Sequence, residues 1–173
     1  ESLSKHKGDL SLYNLTSLSD AAADFLSGNK GDLSLASLTT ISDAAAESLS
    51  KLKGELQLCG LTELSDAAAE SLSKHQGKLY LDELTSLTET AIESVSRNKG
   101  DLRLGLFELS DTAAEALAKV EGELELNSLK SLTAEAAESL ARHKGDLYLR
   151  GLTSLTDAAA VAISKHEGDL LAL

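Results

Sequence analysis

Leucine alternates with polar residues at Leu10-Ser11-Leu12, Leu33-Ser34-Leu35 and Leu56-Gln57-Leu58, and the same triplet recurs from Leu79, Leu102, Leu124 and Leu147. A period of two predicts short strands with one face turned inward. Further apolar residues follow at three-residue steps, as in Leu12, Leu15 and Leu18. That spacing suits a turn folding the chain back over its core.

A helical pattern comes next. Each run is preceded by a hydroxyl residue, at Ser19, Ser42, Ser65, Thr88, Ser110, Thr133 and Thr156. Such a residue caps a helix by accepting an orphan backbone N–H. An acid follows every cap except Thr133, where Ala134 intervenes before Glu135, and acids there meet the positive end of the helix dipole. Lys or Arg is expected in the last turn, with a glycine in the left-handed conformation ending the helix. The third residue after each cap is alanine (Ala22, Ala45, Ala68, Ala91, Ala113, Ala136, Ala159), and the seventh is Leu26, Leu49, Leu72, Val95, Leu117, Leu140 or Ile163. Four residues apart, these two columns share one face and predict close packing on the strand layer.

Strand, turn, helix and return turn repeat with the glycines Gly8, Gly31, Gly54, Gly77, Gly100, Gly122, Gly145 and Gly168, 23 residues apart except for 22 between Gly100 and Gly122. A fixed period of this size is the mark of stacked repeats that bury a shared core. The predicted fold is an α/β solenoid, a right-handed arc with parallel short strands on the concave side and helices on the convex side. Strands sit about 4.8 Å apart and helices roughly 8 to 10 Å, which sets the direction of bend. Residues 1–173 read as one domain of about seven repeats plus a partial N-terminal helix, since Leu3 aligns with Leu26, and as a piece of a longer array. The short repeat carries one residue, Gly105, where others carry two. The deletion is expected in the turn after the strand, with unusual backbone angles at Gly105 and the strand register kept.

The pattern Leu-x-Leu-x-x-Leu-x-x-Leu with a following helix resembles the leucine-rich repeat family in a short bacterial-type version. The usual Asn or Cys after the strand is replaced by Leu15, Leu38, Leu61, Leu84, Leu106, Leu129 and Leu152, so the buried polar ladder of that turn is missing. The resemblance implies a protein-interaction scaffold without catalysis.

Composition narrows the partners. The formal net charge is −12, which disfavours nucleic acid and anionic membrane surfaces, because phosphates are held by Lys and Arg. Aromatics make up 3% of the chain, with no Trp, so flat cofactors find few stacking partners and none is expected. No apolar run reaches the ~18 residues of a membrane span, so no membrane insertion is expected. Cys59 is the only cysteine, which fits a reducing compartment and is equally compatible with export, leaving localisation open.

No catalytic constellation of nucleophile, base and orienting acid emerges, and no metal site is expected. His6, His75, His143 and His166 share one column and read as half-buried residues near helix C-terminal carbonyls. The acids after the glycines, from Asp9 to Asp169 with Lys78 breaking the row, stack like charges, and Lys7, Lys30, Lys53, Lys99 and Lys144 two positions earlier are expected to neutralise them. The variable outward strand columns are the candidate binding surface: Tyr80, Arg103, Glu125 and Tyr148 in one, Tyr13 and Arg150 in the other. Tyr and Arg are enriched among binding hot spots, and the surrounding acids favour a basic protein or peptide. The alternative is a self-assembling spacer, a rod extended by end-to-end association with no specific ligand.

Overall fold

The computed structural model describes residues 8–173. Eight strands and seven helices alternate among them: β1 (Leu10–Ser11), α1 (Asp20–Ser27), β2 (Leu33–Ser34), α2 (Asp43–Leu49), β3 (Leu56–Gln57), α3 (Asp66–Leu72), β4 (Leu79–Leu81), α4 (Glu89–Val95), β5 (Leu102–Leu104), α5 (Asp111–Leu117), β6 (Leu124–Glu125), α6 (Ala134–Leu140), β7 (Leu147–Tyr148), α7 (Asp157–Ile163) and β8 (Leu171–Ala172). The strands form one parallel sheet in chain order, not closed into a barrel, and each helix packs on the next. This is an α/β solenoid of repeated strand–helix units with leucine at the strand positions.

The core is the space between the two layers. Leu33, Leu35, Leu38, Leu56, Leu58 and Leu61 are fully buried, as are their equivalents from Leu79 to Leu149, with Leu152 half-buried, and each fully buried side chain contributes about 1.5 to 3 kcal/mol. The alanine and leucine columns of the helices meet them from the other side, with Ala45, Ala68, Ala91, Ala136 and Ala159 fully buried. The turn leucines also shape the backbone. The N–H groups of Leu15, Leu38, Leu61 and Leu129 donate to Leu12, Leu35, Leu58 and Leu126 three residues back. No side-chain amide is needed to close that turn.

All seven predicted caps form, each hydroxyl accepting from the alanine N–H three residues on, from Ser19 with Ala22 to Thr156 with Ala159. Each such cap is worth about 1 kcal/mol. The same hydroxyls make a second bond that the sequence pattern did not reveal. Ser42 donates to Asp20 at 2.5 Å, Ser65 to Asp43 and Thr133 to Asp111 likewise, and Thr88 to Asp66. The acids after the caps therefore tie consecutive helices together, beyond favouring the dipole of their own.

The helix ends differ from expectation. No basic residue lies in the last turn; α2 stops at Leu49, and Lys51 follows its cap Ser50, bonded at 3.6 Å to Glu47. The chain leaves through tighter turns, Lys51 N–H to Ser48 O and Leu52 N–H to Leu49 O, so no left-handed residue is required. Accordingly no described glycine has a positive φ. The glycine column answers a different demand: a Cβ on Gly54 would fall within 3.0 Å of the Gly31 backbone, and one on Gly77, Gly100, Gly122, Gly145 or Gly168 would meet the preceding glycine in the same way. The glycines stack on one another, and the spacing between rungs there leaves no room for a side chain.

The short rung keeps its register, with Leu79 paired to Leu102 and Leu102 to Leu124. Its lost residue comes out of the turn, as expected. Gly105, however, has no unusual angle; its N–H donates to Leu81 O at 3.0 Å, and a Cβ there would collide with Asp82 O. At the far end the repeat slips. Leu124 N–H donates to Asp146 O, but Leu147 N–H donates to Leu170 O, one residue beyond the equivalent Asp169, and Leu147 pairs with Leu171. A one-residue slip turns a strand over, which takes Leu170 out of the inward column and leaves it 42% exposed.

The two kinds of glycine predict opposite outcomes for one substitution. Gly54→Ala should destabilise by about 1 to 3 kcal/mol, because backbone must move. Gly28→Ala, at an exposed cap with φ −76°, should stabilise by about 0.4 to 1 kcal/mol by restricting the unfolded chain. Urea melts of both variants check this, and a neutral Gly54→Ala would contradict the stacking account.

Candidate interaction face

The outward sheet positions are set by strand alternation: Leu79 and Leu81 point into the core, so Tyr80 between them points out. In-register pairing then places Tyr80 beside Arg103, Arg103 beside Glu125 and Glu125 beside Tyr148. Four of the expected site residues thus form a contiguous row across β4 to β7. Arg150 joins it, its guanidinium 4.8 Å from the centre of the Tyr148 ring. Tyr13 does not; it stands 60% exposed in the turn after β1, at the other end of the sheet.

Much of this row is bound to itself. Arg103 Nε lies 2.5 Å from Asp82 Oδ1 and 3.9 Å from Glu125 Oε2, while its charge sits 5.9 Å from the Tyr80 ring centre. The organising cation is one the column analysis missed. Lys78 Nζ reaches across the β5 rung to Glu125 at 2.9 Å and Glu123 at 3.2 Å, and lies 5.4 Å from the Tyr80 ring. Lys78 had read only as a break in the acid column; its replacement of an acid between Glu55 and Asp101 was the available signal. Burial opposes its charge, but Glu125 and Glu123 outweigh that and hold its pKa above the usual lysine range. Tyr80 donates to Glu55 at 3.3 Å, and Asn127 bridges Glu125 and the Arg150 N–H.

Cys59, next to this network, is half-buried and hydrogen-bonded to Asp82. Burial, then the Asp82 carboxylate, push its thiol up to about 12 against the pull of Arg103, so it stays protonated and unreactive. Apart from Lys78 on Glu123, the acid column is relieved by backbone donors. Asp9, Asp32 and Asp101 accept the backbone N–H of Asp32, Glu55 and Glu123 on the next rung, at 2.8 to 3.0 Å. Lys7 lies outside the described residues, and none of Lys30, Lys53, Lys99 and Lys144 forms a salt bridge with another described residue. No group of three or more His, Cys, Asp or Glu is gathered for a metal among the described residues, and none of their helices is long and apolar enough to cross a membrane.

The histidine column is deeper than expected, and His6 lies outside the described residues. His75 and His143 are fully buried, and a Cβ on Gly77 or Gly145 would lie within about 3 Å of their Nε2 atoms. Neither nitrogen of either ring makes a well-aligned hydrogen bond, although backbone groups of Ser50, Leu52, Gly54 and Lys78 lie against His75 and those of Ala118, Gly122 and Asp146 against His143. Asn29 and Asn98 fill the same column and do bond, Asn98 to His75 O at 3.1 Å and to the Gly100 N–H at 2.7 Å. A buried polar column therefore exists, at the turn opposite the one where the resemblance would put it. Burial holds His75 and His143 below the ordinary histidine pKa; for His143 the neighbouring His166, stacked at 6.3 Å, adds to this. Compared with known proteins, the chain matches no family model and no curated relative.

Two expected outcomes follow from these groups. Lys78→Gln should destabilise by about 1.5 to 3 kcal/mol, since it strands two carboxylates on one cation's site, whereas Lys51→Gln, an exposed helix pair, should change stability by less than about 1 kcal/mol. Equal effects in urea melts would show that the Lys78 network is as weak as a surface pair.

For the histidines the sign runs toward acid instability. Below the ordinary value of 6.5 the unfolded chain takes up protons that the folded chain refuses, so stability falls as pH drops, by about 1.4 kcal/mol per unit for each buried ring. His75→Leu, which copies Leu52, should reduce that slope below pH 6.5. Urea melts across the range measure it; an unchanged slope would mean that His75 titrates normally.

Proposed function

We propose that the protein is a non-catalytic interaction scaffold of the leucine-rich-repeat kind, and that the outward face of its sheet binds a protein or peptide rich in basic residues. The observation that carries this reading is the row of β4 to β7. In β1 to β3 the same outward column holds only Ser11, Ser34 and Gln57, whereas in the later rungs it holds tyrosines fixed by adjacent cations. Side chains held in place by their neighbours lose little entropy on binding, and aromatic rings with cationic neighbours are the usual content of binding hot spots.

Charge supports a basic partner. On this face Lys78, Arg103 and Arg150 stand against Glu55, Asp82, Asp101, Glu123, Glu125 and Asp146, and Lys78 and Arg103 are already paired within the chain. A partner's lysine or arginine would gain from the unbalanced carboxylates and speed up encounter. The hydroxyls that open the helices are occupied as caps, and the one thiol is held protonated. Both points favour a binding module over an enzyme.

Selection from a random peptide display library against the immobilised protein tests the proposal. The enriched peptides should carry Lys or Arg and bind Tyr80→Ala plus Tyr148→Ala about tenfold or more weakly, with Ser11→Ala plus Ser34→Ala unchanged. Equal affinity for the two double variants, or peptides without basic residues, would overturn the sheet-face reading and favour the spacer.

A further inference from the structure

The 22-residue rung has an effect on the opposite side of the turn. Between α4 and α5 the helix-to-helix tie changes partner: Ser110 Oγ is 3.4 Å from Glu89 Oε1, where the equivalent caps Ser42, Ser65 and Thr133 lie 2.5 Å from theirs, and Thr112 of α5 donates to Glu89 instead at 2.7 Å. The turn hydrogen bond that closes other rungs has no counterpart between Leu104 and Leu106, because one residue too few separates them. A surface groove of about 420 Å³ opens at this seam, with Leu87, Ile92, Leu106, Phe107 and Ala113 among the residues that line it.

Two of those residues depart from the repeat. Ile92 stands in a column that is otherwise alanine (Ala23, Ala46, Ala69, Ala114, Ala137, Ala160), and its larger side chain lines the groove. Phe107 stands in a column of threonines (Thr16, Thr39, Thr62, Thr85, Thr153) and one lysine, Lys130, and is 51% exposed. Six rungs fold without an aromatic there, so Phe107 is not what holds the turn. An exposed ring over an apolar groove is the feature that marks a binding surface. Glu89 and Glu108 flank the same groove, and Glu93 and Glu115 continue the acidic wall along the seam with Lys119.

We infer that this groove is a second docking site, distinct from the sheet face, for a partner protein segment that presents an aliphatic side chain flanked by lysine or arginine. The aliphatic group would lie against Phe107, Leu106 and Ile92. The flanking cations would meet Glu89 and Glu108, whose sign excludes an acidic segment. The groove is within the size that holds one anchoring side chain and its neighbours, and its walls are backbone and short helices already fixed by the core, so little ordering opposes binding.

A short amide-capped peptide alternating leucine and lysine serves as the probe, and its counterpart with glutamate in place of lysine serves as the control. Titrated into the ¹⁵N-labelled protein, the lysine peptide should shift the amide signals of Ile92, Leu106 and Phe107, and the glutamate peptide should not. Phe107→Thr restores the repeat and should fold as the parent does while binding about tenfold more weakly. Glu108→Ser, as at Ser86, should weaken binding in the same direction. Tyr80→Ala plus Tyr148→Ala should leave these shifts intact, which separates this site from the sheet face. Absence of shifts, shifts confined to β4 to β7, equal response to the glutamate peptide, or undiminished binding by folded Phe107→Thr would each overturn the inference.

Discussion

Everything in this solenoid depends on how closely one rung approaches the next at the glycine column. There the backbone of each rung lies against the backbone of the one before, with no room for a Cβ between them. That contact keeps the strands at hydrogen-bonding distance and lets the imidazoles of His75 and His143 fit in fully buried beside it. Period and glycine are therefore one constraint. A repeat can lose a residue after its strand, as at Gly105, but the return turn cannot gain a side chain without pushing two rungs apart.

Acidic residues outnumber basic ones throughout, and the fold uses many of the acids as acceptors between rungs. One set accepts the hydroxyls of the next helix's cap, and another accepts the backbone N–H at the start of the next strand. Each such bond sets a donor from the next rung against the carboxylate, so the stacked acids are bridged by hydrogen bonds. Lysines were not needed for this. Most stay at the surface, and Lys78, the exception, is the cation around which Tyr80, Glu123 and Glu125 gather.

The places where the repeat is broken coincide with the places that look able to bind. On the sheet, the change from Ser11, Ser34 and Gln57 to Tyr80, Arg103, Glu125 and Tyr148 converts a plain wall into an ordered polar row. At the seam of α4 and α5, a missing residue, an isoleucine for alanine and a phenylalanine for threonine together make a groove. In a chain whose other positions are held by the demands of stacking, such departures are where selection has freedom to act.

The linear pattern determined the fold class, the strands, the seven helix caps, the buried alanine and leucine columns and the register through the short rung. These follow from local periodicity and capping, which act within a few residues. It also identified Tyr80, Arg103, Glu125 and Tyr148 as one row, because strand pairing copies the repeat. What it could not determine is whatever depends on contact between rungs. The glycines read as left-handed stops because a residue type does not say whether it is chosen for its φ or for its lack of a Cβ. The histidines read as half-buried for the same reason. Lys78 crosses an intervening rung to reach its partners, Asp82 claims Arg103, and the last strand pairs one residue out of register. Only the stacked structure decides these, since each depends on a distance between residues far apart in the chain, on different rungs.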